Sequence, residues 1–81
     1  MEVFKMTVKI YSTPTCPWCD RLKHYLTTKN VSFVEIDVST DRDSATEMSN
    51  KSGQRGVPVI DINGSIVVGF NQEKIDKLLS E

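Results

Sequence analysis

The residues best suited to chemistry in this chain are Cys16 and Cys19, separated by Pro17 and Trp18. Two thiols at this spacing can close into a disulfide and reopen, exchanging two electrons with another disulfide. In a regular helix, positions three apart hold their Cβ atoms about 5–6 Å apart, slightly too far for a disulfide. The gap closes if Cys16 is the non-helical N-cap and Cys19 lies in the first turn. Pro17 suits that placement, because proline is favoured at the first helical position, where a missing N–H costs nothing. The two sulfurs then become unequal. Cys16 faces the unsatisfied N–H groups and positive dipole end of the helix, which stabilise a thiolate. Cys19, one turn in and towards the sheet, is more shielded and keeps its proton. Cys16 is therefore expected to attack and Cys19 to resolve.

The same spacing occurs in metal knuckles. A zinc site needs four ligands, and only His24 could supplement these two thiols, the only cysteines in the chain. Two merely structural cysteines fit poorly with Pro-Trp between them at a helix start. No metal ligand is assigned.

Several elements must position the pair. Residues 6–11 read as a strand, ending in the polar loop Ser12-Thr13-Pro14-Thr15. A helix is predicted over 17–29, with Leu22, Tyr25 and Leu26 on its apolar face and Asn30 as its stop. Residues 31–38, dense in β-branched and aromatic types, read as a second strand. There Glu35 and Asp37 alternate with Val34, Ile36 and Val38 and mark its wetter face. A weakly amphipathic helix follows over 42–51, with N-cap candidates Ser39, Thr40 and Asp41 and a stop at Ser52-Gly53. Strands over 57–62 and 65–68 are joined by the hairpin signal Asn63-Gly64. A last helix over 72–79 buries Ile75, Leu78 and Leu79. The order βαβαββα implies an α/β domain spanning 1–81, in which a four-stranded mixed sheet is covered by three helices. That is the minimal thioredoxin-like arrangement.

Composition narrows the class. With 81 residues, 38% hydrophobic and 26% charged, the chain suits one small globular domain. A formal net charge of −1 disfavours a general nucleic-acid binder. No apolar run could span a membrane and no secretory pattern opens the sequence, so a cytoplasmic protein is expected.

The segment Tyr11-Ser12-Thr13-Pro14-Thr15-Cys16-Pro17-Trp18-Cys19, then Gly56-Val57-Pro58, then Gly69-Phe70 before a final helix, resembles a glutaredoxin. The resemblance covers nearly the whole chain. It points to the short bacterial and archaeal glutaredoxin-like redoxins, near the small redoxins that reduce ribonucleotide reductase. It implies a cis Val57–Pro58 bond, which would turn the Val57 N–H and C=O towards Cys16 for pairing with a substrate backbone. Two family features differ. Thr13 stands where many glutaredoxins carry a glutathione-binding lysine. Val68-Gly69-Phe70-Asn71-Gln72 keeps one glycine and neither acid of the segment that holds the γ-glutamyl end. Arg55 matches a basic position that some members use for a glutathione carboxylate.

The expected substrate-binding set is Tyr11, Pro17, Trp18, Arg55, Val57, Pro58, Gly69, Phe70, Asn71 and Gln72. Trp18 offers a flat apolar docking surface or packs on its helix, and Tyr11 lines the groove or serves packing. No bound cofactor is expected, because the sulfurs carry the electrons. Glutathione or a thioredoxin-reductase-type flavoprotein would be the external reductant. Disulfide-containing proteins, ribonucleotide reductase among them, would be the substrates of a monomer. Two other readings use the same cysteines: an iron–sulfur or metal carrier, which visible absorption would reveal, and a redox-controlled binding module, which would bind without turnover.

Overall fold

Strand β1 (Val8–Ser12) leads into helix α1 (Pro17–Thr28), strand β2 (Val34–Asp37) and helix α2 (Arg42–Ser52). Strands β3 (Val59–Ile62) and β4 (Ser65–Val68) and helix α3 (Gln72–Leu79) complete the order expected from the sequence. This is a computed structural model, and it describes residues 7–79. The strands form one mixed sheet in the order β2-β1-β3-β4. β1 and β2 are parallel, the arrangement a helical crossover allows. β1 pairs antiparallel with β3, and β3 with β4. Asn63 and Gly64 close the second pair with φ values of 52° and 95°, the two positive angles of a type I′ hairpin.

Alternation along the inner strands gives the sheet two apolar faces. Val8, Ile10, Ile60 and Ile62 pack with Leu22 and Leu26 of α1 and Ile75 of α3. Tyr11 and Val59 pack on the other side with Met48 of α2. All four residues of β3 are consequently buried. α2 holds only Met48 fully in the core, and its ends are fixed by local bonds. Asp41 is its N-cap, accepting from the Ser44 N–H at 3.1 Å, and Gly53 closes it in the left-handed conformation.

The bounds of three strands differ from the sequence reading, and helices α1 and α2 each end one residue from the expected stop. The second strand begins at Val34 rather than at residue 31. The Asn30 and Val31 N–H groups donate to the Thr27 and Leu26 carbonyls, extending the end of α1, while Val31 and Phe33 tuck against the first core. The third strand begins at Val59, since Pro58 has no N–H for the ladder. The first strand starts at Val8 and reaches Ser12, which is in register with Asp37. Its expected start at Met6 lies outside the described residues. The wet face assigned to β2 also needs correction. Glu35 is exposed as expected, but Val34 is 58% exposed as well, because α2 covers this edge strand only at Ile36 and Val38.

Candidate functional site

Strand register gathers three remote segments at one end of the sheet. Tyr11 is opposite Val59, and Val59 is opposite Val68. The loop that leads from β1 to Cys16, the Val57-Pro58 pair before β3, and Gly69 after β4 therefore leave the sheet at the same end. Asp37 is level with Ser12, so the β2–α2 connection joins them.

Cys16 is the N-cap of α1, with extended φ and ψ of −103° and 104°, and Pro17 follows in the first turn. Its Sγ accepts a hydrogen bond from the Cys19 backbone N–H at 3.1 Å. The two residues are joined as a disulfide, with their Cα atoms 5.2 Å apart, inside the range a disulfide needs. Cys16 retains 9% exposure while Cys19 has none. The helix start thus delivers the inequality that the spacing implies. Cys16 is nonetheless more enclosed than an open N-cap would be, so an incoming sulfur has a narrow approach.

The Val57–Pro58 bond is cis. The Pro58 carbonyl accepts from the Gly69 N–H at 2.8 Å, which ties the proline to the segment before α3. Gly69 makes that turn at a φ of 77°, a conformation side chains resist. Among the described residues the Val57 N–H and C=O have no hydrogen-bond partner, while its side chain packs beside Tyr11 and Met48.

The other expected residues are spread more widely. Trp18 is 55% exposed, and the Arg21 guanidinium lies 4.8 Å from its ring centre. Tyr11 lines no open groove. It is fully buried beneath α2, donates to the Glu47 carboxylate and accepts from Lys51 Nζ at 3.1 Å. Phe70 packs on the Tyr25 ring with centroids 5.4 Å apart, at the rim of a shallow groove shared with Gln72 and His24. Asn71 turns its side-chain oxygen to the Lys74 N–H at 3.1 Å, capping α3. Arg55 lines a separate groove along α2 that also holds Arg42.

Two polar networks were not marked by any motif. Ser12 Oγ and Lys23 Nζ both donate to Glu35, at 2.8 and 2.7 Å. Lys23 first, and Ser12 after it, hold the Glu35 carboxyl below its ordinary range. On the opposite face Lys51 bridges Tyr11 and Asp61, reaching the carboxylate at 2.9 Å. Burial, followed by the bond to Glu47, pushes the Tyr11 hydroxyl up. The spacing of Glu47 to Lys51 was the one visible hint of the second network. Nothing comparable announced Arg42. Among the described residues no group of three or more His, Cys, Asp or Glu is placed to hold a metal ion, and no helix is long and apolar enough to cross a membrane.

The glutaredoxin family model matches residues 8–67. An uncharacterized glutaredoxin-like 8.6 kDa protein from a rubredoxin operon of Clostridium pasteurianum is 54% identical over 74 residues, covering 91% of this chain and 99% of that protein. Glutaredoxin 3 of Escherichia coli is 39% identical over 62 residues, which cover 76% of this chain and 75% of that one. A crystal structure of a glutaredoxin from Archaeoglobus fulgidus superposes with a TM-score of 0.84 at 28% identity, covering 91% and 86% of the two chains. The agreement of family match, relatives and fold around one disulfide places this chain in the glutaredoxin family, as a thiol–disulfide oxidoreductase.

Proposed function

We propose that the chain reduces protein and small-molecule disulfides through a two-thiol cycle in which Cys16 attacks and Cys19 resolves. The observation that carries this reading is the hydrogen bond from the Cys19 N–H to Cys16 Sγ at the N-cap, beside a Cys19 with no exposure. Such a donor, with the helix dipole behind it, favours negative charge on Cys16 sulfur.

In the reduced protein the Cys16 thiolate attacks one sulfur of the substrate disulfide. That S–S bond breaks, one substrate thiolate leaves and takes a proton, and a mixed disulfide forms. Cys19 loses its proton and attacks Cys16 Sγ. The mixed disulfide breaks, the second substrate thiolate leaves, and the Cys16–Cys19 bond closes. Two electrons have reached the substrate. Two molecules of glutathione, or the dithiol of a thioredoxin-reductase-type flavoprotein, return them. The unpaired Val57 backbone supports docking of the substrate as an added strand, and exposed Trp18 supports an apolar contact beside it.

The test is stoichiometric. Reduced protein mixed with a disulfide-bridged peptide should convert one peptide disulfide to two thiols while Cys16 and Cys19 become resistant to alkylation. Substrate binding with no thiol released would overturn the cycle and favour a binding module.

A further inference from the structure

Tyr11 carries a polar atom at a place where a phenylalanine ring would pack as well. The residue has no exposure, and its ring forms one apolar cluster with Met48 and Val59 beneath α2. Burying a hydroxyl is unfavourable unless it is bonded. Here it is bonded twice, donating to the Glu47 carboxylate and accepting from Lys51 Nζ at 3.1 Å. Both partners come from α2, one turn apart on the same face. Lys51 also reaches Asp61 of β3 at 2.9 Å, and Asp61 accepts from the Gly64 N–H at 2.8 Å. Met48 is the one residue of α2 that lies fully in the core, so this hydroxyl is a second point where the helix is set against the sheet. A satisfied polar network of this kind fixes one arrangement where apolar contacts alone permit several.

What rests on that cluster is Val57. Its side chain packs against Tyr11, Met48 and Val59 as a group, while its N–H and C=O have no partner among the described residues. Pro58, after it, is tied through its carbonyl to the Gly69 N–H at 2.8 Å. Gly56, before it, is tied within its own loop to the Gln54 side chain. Val57 therefore has no backbone bond of its own, and the seat of its side chain sets where its free N–H and C=O point. Hydrogen bonds weaken steeply with misalignment, so a small shift of that seat would cost a substrate strand its pairing. We infer that Tyr11 is a positioning residue for the substrate: bonded to Glu47, it holds the surface on which Val57 sits and so keeps the Val57 backbone aligned for an incoming strand. This deepens the strand docking proposed at Val57 and rests on it.

Tyr11→Phe and Glu47→Leu separate this role from folding. Phenylalanine keeps the ring, and Lys51 retains Asp61 at 2.9 Å and Glu47 at 3.5 Å without the hydroxyl. Glu47 is exposed, so its replacement opens no cavity. The probe is an extended peptide with one cysteine, disulfide-linked to a second copy, with or without N-methyl groups on the residues flanking the cysteine. Methylation removes the N–H groups that the Val57 carbonyl would accept. Reduced wild-type protein should react with the unmethylated peptide about fivefold faster, the weight of one hydrogen bond. Tyr11→Phe and Glu47→Leu should each lose most of that preference, and the double variant should lose no more than either alone. Glu47→Gln, which still accepts from the hydroxyl, should keep it. Hydroxyethyl disulfide, which has no peptide backbone, should be reduced equally by all four variants and wild type. If Tyr11→Phe and Glu47→Leu keep the wild-type preference, or slow every probe alike, Tyr11 serves packing alone and the inference fails while the docking stands. No preference in wild type would overturn strand docking at Val57 and the inference with it. Reduction of no probe at all would overturn the dithiol cycle itself.

Discussion

The backbone N–H of Cys19 points at the sulfur of Cys16 from 3.1 Å, so in the proposed cycle the resolving residue itself would help to charge the attacking one. That bond comes from the backbone and survives replacement of the Cys19 side chain. Cys19→Ser should therefore keep a reactive Cys16 and accumulate mixed disulfides that no second thiol releases. Cys16→Ser should lose disulfide reduction entirely, because Cys19 is wholly buried. Mass spectrometry of acid-trapped reactions would read both outcomes. Alkylation surviving in Cys16→Ser but not in Cys19→Ser would reverse the roles.

The same geometry sets a pH dependence. In the reduced protein Cys16 gains a donor and a helix N-terminus, and both favour the thiolate. Its thiol should titrate below the ~8.5 of a free cysteine. Iodoacetamide modification of the reduced protein, followed against pH, should show its step below that value. A single step at the free-thiol value would mean that helix and donor contribute nothing.

On the α2 face, the Lys51–Asp61 pair should matter for stability more than for chemistry. The Asp61 side chain is 10% exposed and Lys51 32%, so neither is fully screened by water. Lys51→Met strands the Asp61 carboxylate and should cost about 1–3 kcal/mol, read as a lower denaturant midpoint. Adding Asp61→Asn should restore much of the loss, because the stranded charge is gone. Asp61, then Tyr11, hold the Lys51 ammonium well above its usual range. A raised lysine contributes fully below its unfolded value of ~10.4 and loses that contribution only above it. The Lys51→Met difference should accordingly stay constant through neutral pH.

Sequence patterns carried the order of elements and the location of the redox pair, since helix start, hairpin and strand periods are local properties. Proline beside Cys16 and the Asn63-Gly64 turn each state their geometry within a few residues. What stayed hidden depends on which strands are neighbours. The central place of β1, the exposed Val34 and the burial of Tyr11 follow from the order β2-β1-β3-β4, which no local signal encodes. Arg42 illustrates the same limit. It shares with Arg55, thirteen positions away, a groove that only folding creates.

The last prediction concerns the reductant. Binding glutathione means holding two carboxylates and an ammonium group in a shallow site. Thr13, standing where many relatives carry a lysine, lines a recess shared with Glu35 and Asp37. Lys23 keeps Glu35 ionised, and Ser39 does the same for Asp37, so this recess repels a carboxylate rather than holding one. At the other end Asn71 already caps α3 with its side-chain oxygen, and Gln72 lacks the charge to attract an ammonium group. Charge-assisted hydrogen bonds are worth roughly 1.5–3 kcal/mol each, so losing one or two weakens binding at least about tenfold. A thioredoxin-reductase-type enzyme should therefore reduce the Cys16–Cys19 disulfide faster than millimolar glutathione does. Thr13→Lys with Gln72→Asp should raise glutathione-coupled turnover, Thr13→Lys by adding a positive charge that, with Lys23, offsets Glu35 and Asp37. The measurement is NADPH oxidation with glutathione and glutathione reductase, set against thioredoxin reductase from a matched source. Robust wild-type turnover in the first assay and none in the second would show that Val57, Arg55 and the helix start suffice for glutathione, and that the two missing charges do not decide the reductant.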